Sequence, residues 1–153
     1  MNFIEYFRER NVKRGLIFNA ITSTLAYLLT LYLHFQGLYL IYDVQFLIGT
    51  VIGVFFALKN RTRNQKILTC GMLVGIIGGI ISALLISLLY TLIYAPNIIV
   101  FLVFFLYIVL TAIPVGLLGG GIISAYYMYL DMKRENVEED RYDEDFYKDL
   151  IED

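Results

Sequence analysis

The sequence predicts an all-α polytopic membrane protein with four transmembrane helices, and three observations lead there. All twelve basic residues of the 153-residue chain fall in three clusters, at 8 to 14, 59 to 66 and 133 to 148. Between Gly15 and Leu58, and again between Ile67 and Leu130, Asp43 is the sole formal charge. Each of these blocks is interrupted by residues that favour a turn, Gln36-Gly37 in the first and Ala95-Pro96-Asn97 in the second. A helix on the core of a soluble domain keeps a polar face, whereas these segments are apolar nearly all round and suit lipid.

The elements follow in order. Phe3, Ile4 and Phe7 alternate with Arg8 and Arg10, so residues 1 to 14 read as a basic leader forming a short amphipathic helix on the cytoplasmic leaflet. The alternative is a basic leader without structure. The first two spans are 15–34 and 38–58, each about 30 Å long as a helix, which matches a bilayer core. The second pair, 67–94 and 98–130, would be roughly 40 and 50 Å long, so they must tilt, kink or project beyond the hydrocarbon. Using Pro114 as another turn would leave a middle span of about fifteen residues, short of the ~20 required. Pro114 therefore reads as a kink or local break within the fourth span.

Cytoplasmic loops retain Lys and Arg, so the three clusters together imply a multi-pass cell-membrane protein with both termini cytoplasmic. Tyr32, Tyr39, Tyr42, Tyr90 and Tyr94 then fall at the outer interface, and Tyr126, Tyr127 and Tyr129 at the inner one. The net charge of −2 conceals a strong asymmetry: residues 131 to 153 carry four basic and eleven acidic side chains, an acidic cytoplasmic tail. Its composition favours disorder or a solvated helix.

Helices in lipid associate through close packing of small residues and polar contacts rather than through the hydrophobic effect. The third span carries Gly71, Gly75, Gly79, Ala83, Ser87 and Thr91, the second Gly49, Gly53 and Ala57, and the fourth Ala112, Gly116, Gly120 and Ser124. This Gly-x-x-x-Gly pattern predicts a four-helix bundle packed on small residues. The same ladders also suit a homo-oligomer or another membrane partner. The first span offers a polar strip instead, Asn19, Ser23, Ala26 and Thr30, suited to interhelical hydrogen bonds.

Candidate functional residues are few. An acid within a membrane segment is a functional-site hypothesis by default, and Asp43 is the one such residue here. His34 lies across the first turn from it, and a His34–Asp43 pair at the outer surface can sense pH or gate protons, since histidine titrates near neutrality. The competing reading is a wetted polar pair that anchors the hairpin. In the tail, Phe146, Tyr147, Leu150 and Ile151 form an apolar patch at helical spacing, suited to docking a cytoplasmic partner. One histidine and one cysteine, Cys70, do not make a metal-ligand set, and no phosphate loop or nucleophile motif is present. Neither enzymatic activity, nor a cofactor, nor nucleic-acid binding is expected. The basic patches are short and adjoin the membrane boundary.

The basic leader, the Gly49-x-x-x-Gly53 span ending in Lys59-Asn60-Arg61, and the glycine-laddered third span resemble small four-span prokaryotic membrane families of unknown function. The resemblance covers residues 10 to 95 and implies no active site. The expected role is a non-enzymatic accessory or regulatory membrane subunit, with a small oligomeric transporter or channel as the alternative.

Overall fold

The computed structural model describes residues 3–35, 44–59, 61, 66–94 and 96–152; at 3, 4, 6, 35 and 135–152 it describes the backbone alone. The described chain is all-α: α1 (Phe3–Arg8), α2 (Arg10–Phe35), α3 (Val44–Lys59), α4 (Ile67–Tyr94) and α5 (Ile98–Glu152). Three stretches, Arg10–His34, Ile67–Tyr94 and Ile98–Arg134, are long and apolar enough to cross a membrane. The described part of the expected 38–58 span is α3, 16 residues and about 24 Å long. Residues 38–43, including Asp43, lie outside the described residues.

The start of the first long helix differs from the expected one. Apolarity begins at Gly15, yet α2 begins at Arg10, and both Asn11 and Val12 are buried in the bundle. The cause is the end of α3, whose last-turn carbonyls have no partner within their own helix. Asn11 Nδ2 donates to the Ala57 carbonyl at 2.9 Å, and Arg61 N to the Leu58 carbonyl at 3.3 Å. Only the first part of the leader, α1, is a separate helix.

The start of α5 obeys local rules. Asn97 follows Pro96, and its Oδ1 accepts a hydrogen bond from Ile99 N at 2.8 Å, an N-cap. Pro114 does not break this helix. Proline withholds one donor, from the Leu110 carbonyl, and Leu110 is 74% exposed on the outer face. The helix then runs on to Glu152, 55 residues or about 80 Å.

Small polar side chains share the interior with apolar ones, and large apolar side chains cover the surface. Asn19, Ser23, Thr50, Ser82, Ser87 and Ser124 are fully buried, while Ile98, Leu106, Leu110, Leu118 and Ile122 are more than half exposed. The helices meet where side chains are smallest. A Cβ on Gly53 would lie 2.7 Å from the Gly15 carbonyl oxygen, and one on Gly49 would lie 2.8 Å from that of Asn19. Across α4 and α5 the facing pairs are Gly71 with Gly120, Gly75 with Gly116 and Gly79 with Ala112. Each step of four along one helix is matched by a step of four back along its partner, the register of antiparallel helices. Asn19 sits where α2, α3 and α4 converge: Nδ2 donates to the Val74 carbonyl at 3.1 Å and Oδ1 accepts from Ser23 Oγ at 3.2 Å. A side chain at Gly78 would occupy that space, since its Cβ would lie 2.6 Å from Asn19 Cγ.

Candidate functional site

The two ends of the bundle are built differently. At one end Arg61 pairs with Asp131, Asn11 reaches Ala57, and Ser124 Oγ donates to the Ile67 carbonyl at 3.2 Å. The start of α2, the end of α3 with Arg61, the start of α4 and the region of α5 around Ser124 and Asp131 therefore lie together, and each of the three basic clusters begins on or beside them. The core here is Val12, Val54, Ala57, Leu58, Cys70 and Val74. Cys70 is fully buried, which removes its thiol from modification at the surface.

At the other end the facing residues become large: Tyr27 and Phe46 are buried, and Phe104 takes up the α5 position one turn before Ile108. Tyr90 stacks on Phe104, with ring centroids 4.0 Å apart and planes 21° apart, and Tyr94 lies 4.9 Å from Tyr90. Rings of this size do not close the space between four helices as glycines do. A cavity of about 650 Å³ remains, lined from α2 by Tyr27, Thr30, Leu31 and His34, from α3 by Gln45 and Phe46, from α4 by Tyr90 and Tyr94, and from α5 by Phe104, Tyr107, Ile108 and Thr111.

Three oxygens of its wall present acceptor lone pairs, beside tyrosine hydroxyls, the Gln45 amide nitrogen and the His34 ring, which can also donate. Gln45 is 4% exposed, and its Oε1 has no hydrogen-bond partner among the described residues. Thr30 and Thr111 spend their protons on their own helix, donating to the carbonyls of Ala26 and Ile108 at 2.9 Å each, which leaves oxygen lone pairs. A buried acceptor without a donor is costly in an apolar setting, about 1–3 kcal/mol.

Of the residues singled out from sequence, His34 lies in the cavity wall. Asp43 lies outside the described residues, so the expected pairing of the two is not described. Phe146, Tyr147, Leu150 and Ile151 lie on the helical backbone of α5, and their side chains are outside the described ones. The polar strip of the first span divides: Asn19 bonds across to α4, whereas Thr30 bonds its own helix. Gln45 was overlooked. Its signal was present, since it is the one amide side chain within the 38–58 segment. Among the described residues no three His, Cys, Asp or Glu side chains come together as a metal site. Comparison of the chain with protein-family models, curated proteins and solved structures finds no significant match.

Proposed function

We propose that this chain is a four-span integral membrane protein with both termini cytoplasmic, acting as a non-enzymatic accessory or regulatory subunit. The observation that carries this reading is the length of α5. An apolar helix needs about 30 Å to cross the bilayer core, and α5 continues without interruption for 55 residues into an acidic stretch. Residues 135–152 add about 27 Å of helical backbone beyond the apolar part, a rigid arm suited to presenting Phe146, Tyr147, Leu150 and Ile151 to a soluble partner. The orientation is supported by the meeting of the basic clusters at one end, which suits an anionic cytoplasmic surface. Small-residue seams between α2 and α3 and between α4 and α5 hold the helices in lipid, and α1 rests on the cytoplasmic leaflet.

The test is affinity purification of the full chain from its host membranes beside a chain ending at Arg134. The expected result is a partner at fixed stoichiometry that is lost on truncation. Ion flux through liposomes containing the pure protein, with no partner recovered, sinks this reading and favours the small oligomeric transporter or channel. The cavity is what supports that second reading. Glycines of α3, α4 and α5 are covered by the chain's own helices, so a second copy would dock on the apolar outer faces instead.

A further inference from the structure

We propose that the cavity at the aromatic end is a binding site for a small organic ammonium ion with an aromatic or comparably apolar body. Its volume, about 650 Å³, falls in the range of sites that enclose drug-sized ligands. Two independent features select the charge. The first is hydrogen-bonding polarity. Gln45 Oε1 is buried without a donor, and the Thr30 and Thr111 hydroxyls have already donated their protons, so these three positions offer acceptor oxygens to whatever enters. An ammonium group supplies N–H donors and no acceptor. The second is the aromatic wall, in which Tyr27, Phe46, Tyr90, Tyr94, Phe104 and Tyr107 contribute rings. Ring faces carry negative quadrupole density and attract cations. The lining contains no Lys or Arg, and His34 is its one side chain able to carry positive charge. An anion would meet these three oxygens and the ring faces, and a purely apolar occupant would leave Gln45 Oε1 unsatisfied.

The site is independent of the tail, so its test and the partner test fail separately. The full chain in phosphatidylcholine nanodiscs is titrated with 1-naphthylmethylammonium, followed by naphthalene fluorescence, with empty nanodiscs as the blank. Its neutral isostere 1-naphthalenemethanol is titrated in parallel. Saturable binding of the ammonium, at least tenfold tighter than the alcohol, is expected. Gln45→Leu is expected to weaken the ammonium roughly tenfold while leaving the protein at least as heat-stable as the parent. Equal affinity for alcohol and ammonium overturns the proposal, because the cavity then takes any apolar body, a lipid chain included. So does ammonium binding no greater than to empty nanodiscs, or an unchanged Kd in a folded Gln45→Leu protein.

Discussion

The same four helices close tightly at the basic end of the bundle and leave a half-open cavity between them at the aromatic end. The difference follows side-chain size along each helix. On α4 the inward positions pass from Gly71, Gly75 and Gly79 to Ala83, Ser87 and Tyr90; on α5, read backwards, they pass from Gly120 and Gly116 to Ala112, Ile108 and Phe104. Where glycines face each other, backbone meets backbone and no room is left for a ligand. Where rings and branched chains face each other, their shapes do not interlock completely. Polar groups divide less cleanly: Asn19, in the tight half, uses both ends of its amide, whereas Gln45 Oε1 beside the cavity and Thr50 Oγ1 beside Gly75 and Gly119 have no partner among the described residues. One end suits holding the fold, and the other suits holding something else.

Four substitutions and one control probe that contrast. The largest effect is expected at Gly75→Leu, where even a Cβ would overlap the Gly116 backbone on α5. Overpacking against a rigid main chain should cost about 3 kcal/mol or more, read as loss of resistance to unfolding in mixed detergent micelles. Gly121→Ala is the matched control, since its Cβ would meet only Met72 Cε at an ordinary 3.7 Å. If both variants behave alike, the tight seam is not what stabilises the basic end. Next is Asn19→Ala, which removes the bond to the Val74 carbonyl and leaves a void; a loss of about 1–2 kcal/mol is expected in the same assay. At the aromatic end the sign reverses. Gln45→Leu removes an unpaired buried acceptor at nearly constant volume and should raise stability by about 1 kcal/mol. A marked loss of stability would show that Gln45 holds the fold. The smallest change is expected for Arg61→Ala. Its ion pair with Asp131 is partly solvated, so the loss should stay within about 1 kcal/mol and shrink further in high salt.

Much of the fold was legible in the residue order. The expected boundaries at Ile67, Tyr94 and Ile98 coincide with those of α4 and α5, because Lys66, Pro96 and Asn97 stop apolar runs abruptly. Boundaries governed by partners elsewhere were not legible. Arg10 opens α2 because Asn11 satisfies a carbonyl on α3, a contact separated by 46 positions. The site was less legible still. His34 was singled out and does line the cavity, but for a pairing with Asp43 that lies outside the described residues. Gln45 and Tyr107 drew no attention, since neither carries charge.

By itself, the sequence determined that the described chain is helical, where α4 begins and ends and where α5 begins, and that three helices are apolar enough for a bilayer. These are properties of each segment alone, set by length, hydropathy and local capping. Tertiary structure decided which faces meet, and so which polar groups find partners. Asn19 reaches Val74 only because Gly78 leaves space beside it. Gln45 Oε1 has no partner among the described residues, because no donor of the four helices comes within hydrogen-bonding reach of it. A cavity belongs to no single segment, since it is the volume left when several surfaces fail to fill the space between them.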